Sequence, residues 1–254
     1  MTEEVETLIV MPDVAGHGEP SPWLRYLAEE MRIHAHTASE RLRPASEPFR
    51  YDEDELAIFT GEGPPRLRKG TADSPNPLVW YTRDEAEFVA AAKALAPSAG
   101  PSTGWKLLTD PELVAPLEDA CRLVAVASRE GTTPEGLFAC RRQVLIIAPE
   151  DDDEVSIDYH LTLDLIYVAP DARRHGLARS LTAAICEAAA DDLEVLREAH
   201  KRVGPSVRIS IWVEGDTHSP GGEKAATLIH SFLEQEVGQY EEGIFNSPVP
   251  DWST

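Results

Sequence analysis

Cysteine is scarce in this chain: Cys121, Cys140 and Cys186 are the only three among 254 residues. An odd number with no C-x-x-C pair argues against a disulfide framework or a cysteine-built metal site, and apolar neighbours predict buried free thiols. Basic residues are few as well. Lys and Arg number 23 against 45 Asp and Glu, a net charge of −22. So acidic a surface repels phosphate backbones, which argues against nucleic acid or an anionic membrane as partner. It favours cationic small molecules or peptides instead. No apolar run approaches the roughly 18 residues of a membrane-spanning helix, and the N-terminal MTEEVETLIV lacks the basic start of a targeting segment. The expectation is a soluble cytoplasmic protein, and a hydrophobic content of 42% is enough for a sizeable core.

In chain order, Thr7 to Val10 reads as a short strand. A helix is predicted from Ser21, with Pro22 in its first turn. His34 and His36 on that helix would point about 200° apart, so they do not make a metal pair. Leu56 to Thr60 reads as a strand after a loop, and Leu78 to Thr82 as another, followed by a helix over 84–95. The break APSAGPSTG at 96–104 divides the chain into an N-terminal region, 1–104, and a C-terminal domain, 105–254. A helix is predicted from Asp110 to about Ser128, then an antiparallel hairpin of strands 137–148 and 155–168. The acidic tip of that hairpin lacks a calcium-loop pattern. A long helix from Gly176, a strand over 207–213, a helix over about 222–237 and a short strand near 243–246 complete the reading.

The stretch Leu161 to Ala184, LTLDLIYVAPDARRHGLARSLTAA, concentrates the chemistry. An apolar strand breaks at Ala169-Pro170-Asp171, passes through a basic loop and enters a helix at Gly176. The first amide N–H groups of a helix have no intrahelical partner, and the helix dipole adds partial positive charge. Arg173, Arg174 and Arg179 add full charges suited to phosphate oxygens. A phosphate or pyrophosphate cradle at the end of a sheet strand is the result, and it stands out in so acidic a chain.

Alternation along 155–168 sorts Val155, Ile157, Tyr159, Leu161, Leu163 and Leu165 to one face. Ser156, Asp158, His160, Thr162, Asp164, Ile166 and Val168 go to the other. The second face reads either as the wall of an active-site cleft or as a solvated polar face.

The pattern Val168-x-Pro170-x-x-Arg173-x-x-Gly176-x-Ala178 resembles the acetyl-coenzyme A loop of the GCN5-related N-acetyltransferases. The resemblance covers residues from about 110 to the C-terminus. It implies an α/β (α+β) acyl-CoA N-acyltransferase fold, a mixed central sheet flanked by helices, with the N-terminal region as an extension or as a source of opening elements. It further implies acetyl-CoA as cosubstrate. Backbone groups of Ile166, Tyr167 and Val168 would meet pantetheine, and Arg173, Arg174, His175, Gly176, Leu177, Ala178 and Arg179 would hold the pyrophosphate.

The reaction implied is transfer of acetyl to a primary amine of a small molecule or peptide, by direct attack on the thioester, with a homodimer possible. An amine of pKa about 10.4 arrives protonated, so a base is useful. Many members of the family place a Glu six positions before Val168, where this chain has Thr162. Asp164 is the candidate instead, with His160 and Asp158 behind it. The family's Asn-x-x-Ala and later Tyr align with Glu223, Ala226 and His230, and Tyr240 lies beyond, so His230 and Tyr240 are the candidate acids. These departures leave a second possibility open, a module that binds acetyl-CoA for regulation or interaction without transferring its acetyl group.

Overall fold

A computed structural model of the chain describes residues 9–10, 48–60, 75–82, 85–99, 121–131, 133–147, 155–203, 207–216, 219–240, 245 and 248–253. The expected helix from Ser21, His34 and His36, residues 110–120 and the acidic hairpin tip lie outside them. The elements in order are β1 (Ile9–Val10), α1 (Glu53–Thr60), β2 (Leu78–Thr82), α2 (Glu85–Ala99), β3 (Cys121–Ser128), β4 (Gly136–Ile147) and β5 (Val155–Val168). A 3₁₀ turn (Pro170–Ala172), α3 (Leu177–Val203), β6 (Val207–Asp216), α4 (Pro220–Val237) and β7 (Val249–Ser253) follow.

The strands form one seven-stranded mixed sheet in the order β2-β3-β4-β5-β6-β7, with β1 beside β4. From β2 to β5 every pair is antiparallel, and β5, β6 and β7 run parallel. Such a sheet flanked by helices is an α/β architecture. The sheet and core include β2, α1 and α2 from the N-terminal region.

Two elements differ from the sequence-based expectation. Leu56 to Thr60 is helical, because Asp52 and Glu55 make a reciprocal capping box ahead of it: Glu55 N–H donates to Asp52 Oδ1 (2.8 Å) and Asp52 N–H to Glu55 Oε2 (2.8 Å). Residues 121–128 are a strand, not the end of a helix. Leu123 to Ser128 are all buried, and a strand covered on both faces loses its alternation and imitates a buried helix. Of the strand expected near 243–246 only Phe245 is among the described residues, where it bridges to Ile209, and β7 follows it.

Helix α3 packs on one sheet face and ties itself there by polar contacts. The Tyr51 and Tyr81 hydroxyls converge on Glu187 of α3 (2.6 and 2.7 Å). Arg142 of β4 forms a two-oxygen ion pair with Asp192 of α3 (2.8 and 3.0 Å), and Tyr159 of β5 donates to the same carboxylate (2.8 Å). Burial and the neighbouring carboxylate push the Tyr159 hydroxyl well up, so it stays a donor. Helix α1 lies against α3 and α4, with Phe59 and Phe232 5.7 Å apart between ring centres. Helix α2 covers the opposite face, where its Phe88 lies under Arg122 and its Ser98 meets the Tyr167 hydroxyl.

The strand that carries the candidate site changes face part-way. The β4–β5 register slips by one residue: Cys140 pairs with Leu163, yet Ala139 pairs with Leu165, leaving Asp164 as a bulge. Up to Leu163 the odd residues face α3. Beyond the bulge Ile166 and Val168 take that side, and Leu165 and Tyr167 turn to the α2 side. The uniform alternation expected across 155–168 is therefore broken at Asp164.

Candidate functional site

The basic loop leaves β5 through the 3₁₀ turn and enters α3 with two left-handed residues, Arg174 (φ 69°) and Gly176 (φ 81°). For Gly176 that conformation is free of steric cost, whereas Arg174 bears on the order of 1 kcal/mol. The first turn-closing bond runs from Ser180 N–H to the Gly176 carbonyl (3.0 Å), which makes Gly176 the N-cap. The N–H groups of Leu177 and Ala178 then have no partner among the described residues. Arg173, Arg174, His175 and Gly176 are exposed, and Arg173 touches only the Val168 carbonyl (3.3 Å) among them. Arg179 departs from the expectation: its guanidinium reaches Glu53 (3.0 Å) and Thr60 (3.3 Å) of α1, so it is already engaged as a tie between helices.

Below the loop, β5 and β6 part. Their parallel pairing runs from Val155–Val207 to Leu163–Gly215 and stops there. From Asp164 to Val168 the β6-facing edge of β5 has no strand partner among the described residues, so its backbone groups form an open edge. Gly215 makes the last rung possible, because a Cβ there would stand 3.1 Å from the Leu163 carbonyl oxygen and 3.2 Å from Leu163 Cβ. A small cleft opens where the strands diverge, lined by Phe138, Leu163, Asp164, Ile166, Gly215 and Ala226 among others. Ile166 and Val168 are half-buried beside it, while Tyr167 points away to Ser98 (3.0 Å), leaving only its backbone to the open edge.

The polar face of β5 carries two arrangements of unlike character. Arg141 holds Asp164 Oδ1 (2.8 Å from Nε). The Asp164 side chain keeps 5% of its exposure, and its Oδ2 is buried without a hydrogen bond. Burial pushes this carboxyl above the ordinary range, and the guanidinium opposes that rise. Two rungs lower, His160 Nδ1 lies 2.7 Å from Glu214 Oε1, and the Thr162 hydroxyl donates to Glu214 Oε2 (3.2 Å). A carboxylate only accepts, so Nδ1 carries the proton and the lone pair of the neutral ring sits on Nε2. Trp212 stacks on the imidazole, with ring centres 6.0 Å apart and planes 11° apart.

Glu214 and Trp212 were not singled out from sequence. Their signal was present in VRISIWVEGD, where Trp212 and Glu214 alternate with buried Ile211 and Val213. Which residue of β5 they would meet depended on the parallel register.

The two candidate acids have partners of their own. His230 Nε2 contacts the Pro248 carbonyl (3.1 Å), which fixes it as a donor toward the β7 end. Tyr240 packs on Phe245 (5.1 Å) and under Arg197 (5.3 Å). At 1.5 Å per residue, Arg197 is about 30 Å from the start of α3 at the loop, so Tyr240 belongs to the opposite end of the helical layer.

No protein-family model, no curated protein and no solved structure matches this chain.

Proposed function

We propose that the chain is an acetyl-CoA-dependent N-acetyltransferase acting on a primary amine by direct attack. The observation that carries this reading is one continuous surface. An exposed arginine loop caps a helix N-terminus, and the strand leading into it presents an open backbone edge beside a cleft. A pyrophosphate suits the unpartnered N–H groups of α3 together with Arg173 and Arg174. An arm bearing amide groups suits the open edge from Val168 back to Asp164, about 13 Å at about 3.3 Å per residue, because its amides would add to the sheet as a strand does. The thioester would then sit at the divergence of β5 and β6. There, backbone N–H groups offer stabilisation to a developing oxyanion, and the geometry brings the reactants together.

A second reading, acetyl-CoA binding without transfer, draws on the engagement of Asp164 by Arg141 and on the remote position of Tyr240. Calorimetric titration with acetyl-CoA, beside the Arg173→Ala/Arg174→Ala variant, tests what both readings share. Binding by the wild type that the variant loses is the expected result. A wild type that binds no acetyl-CoA overturns both.

A further inference from the structure

The polar face of β5 and β6 has no role yet beyond the cofactor's path. Its members come from two strands and meet only because the sheet is parallel there: His160 pairs with Trp212 and Thr162 with Glu214. The pairing ends at Leu163 and Gly215, so Glu214 stands one rung and His160 three rungs before the divergence where a thioester would lie. The pair keeps a window to solvent, with side-chain exposures of 19% for His160 and 31% for Glu214.

Two polar atoms on this face are buried with no hydrogen bond, the Trp212 indole N–H and Asp164 Oδ2. A buried unpaired donor and a buried unpaired acceptor each cost free energy that a ligand bearing the complementary groups would recover. Among the described side chains negative charge exceeds positive, with Asp158, Glu214 and Asp164 against Arg141 and the neighbouring Arg122 of β3. The chemistry matched is a cationic chain with N–H donors and a reactive primary amine.

We infer that this face is the acceptor-amine site, with His160 as the proton acceptor and Glu214 as the residue that positions it; the inference rests on the acetyltransferase reading. The amine enters as ammonium and gives up one proton to solvent. Its nitrogen lone pair attacks the thioester carbonyl carbon, so that a C–N bond forms and the C–S bond breaks with its electron pair leaving on sulfur. His160 Nε2 takes the second proton from nitrogen as the amide forms, and that proton passes to the departing thiolate, giving free coenzyme A thiol. Glu214 holds the Nδ1 proton and thereby keeps Nε2 as the accepting atom. Trp212 supports the ring from one side.

The test is thiol release from acetyl-CoA with spermidine or lysine amide as acceptor, run on wild type, His160→Ala, Glu214→Gln and Glu214→Asp. Calorimetry of acetyl-CoA accompanies each protein. His160→Ala is expected to lower kcat by about 100-fold or more, with acetyl-CoA affinity unchanged and with activity restored by added imidazole. Glu214→Gln should lower kcat less and leave the KM for acetyl-CoA unchanged, and Glu214→Asp should recover part of the loss. Restoration by imidazole is a response that a purely structural histidine does not give.

An independent reading comes from the indole N–H resonance of Trp212, assigned by Trp212→Phe, which should shift when spermidine is added to the coenzyme A complex. The inference is overturned if His160→Ala turns over like wild type, or if imidazole fails to restore it. It is also overturned if wild type binds acetyl-CoA yet acetylates neither amine. In that last case the cofactor site stands, whereas absence of acetyl-CoA binding strikes the acetyltransferase reading itself.

Discussion

Tyr159 and His160 are neighbours on β5, and they enter polar networks of opposite kinds. Tyr159 faces α3, where Arg142 and Asp192 retain only 3% and 4% of their side-chain exposure and the carboxylate receives donors on both oxygens. His160 faces the other way, into a group with a solvent window, an unpaired indole N–H and an unpaired carboxylate oxygen. A closed network holds a sheet and a helix in one arrangement. An open one is reached from solvent, and polar atoms with bonding capacity beside a solvent window are what a ligand can use.

Breaking the closed side should cost the most stability. Asp192→Ala leaves Arg142 as a buried charge without its counter-ion, and about 3–5 kcal/mol of folding free energy should be lost. Urea unfolding followed by circular dichroism measures it. A loss below about 1 kcal/mol would show that the pair is no tighter than a surface contact.

On the open side the same measurement should barely move, and binding should. Arg173→Ala/Arg174→Ala is expected to weaken acetyl-CoA binding by roughly 100-fold, in keeping with charge-assisted hydrogen bonds of about 1.5–3 kcal/mol each. Its urea midpoint should stay near that of wild type, since surface changes of this kind fall within about 0.5 kcal/mol. A variant that unfolds early would place the two arginines in the fold's support instead.

Gly215→Ala sharpens the comparison at the boundary between the two kinds of region. Its added methyl meets the Leu163 backbone at 3.1 Å, so the last β5–β6 rung must shift, at a cost of about 1–3 kcal/mol. Amide exchange should accelerate at 161–163 and 213–215 and remain slow at Tyr159. Exchange that is unchanged at the rung would contradict the close approach.

The smallest effect concerns Asp164 and has a defined sign. Burial raises this carboxyl in the folded chain above its ordinary range, so just above that range the folded chain retains a proton that the unfolded chain has released. Stability attributable to the group is therefore present at low pH and declines as pH rises through the raised value. Asp164→Asn removes the slope. Urea midpoints of variant and wild type, compared from about pH 4 to about pH 7, should move in the variant's favour as pH rises. A difference constant across that range would rule out the shift.

Much of this architecture was legible in local pattern. The hairpin of β4 and β5, the long α3 stripe, the strand after it and the basic loop all follow from periodicity, caps and turn residues that lie close together in the chain. Two elements were misread for definable reasons: β3 is buried on both sides, and α1 shows five apolar-leaning residues whose helical state is set by Asp52 and Glu55 just before them.

The candidate site was legible only by half. Arg173 to Ala178 form a contiguous motif, whereas the His160–Glu214 contact depends on the register between strands separated by the whole of α3. The bulge at Asp164 was equally hidden. A one-residue slip reverses the face of everything after it, and nothing in LTLDLIYV marks where it occurs.

The account joins the loop, the open edge of β5 and the β5–β6 divergence into one binding surface, and amide chemical-shift mapping on titration with acetyl-CoA tests that union most directly. The predicted outcome is a continuous set of perturbed amides over 163–168, 173–178 and 215–226, with Tyr159, Asp192 and Tyr240 unmoved. Perturbations confined to another face, or none at saturating acetyl-CoA, would contradict it.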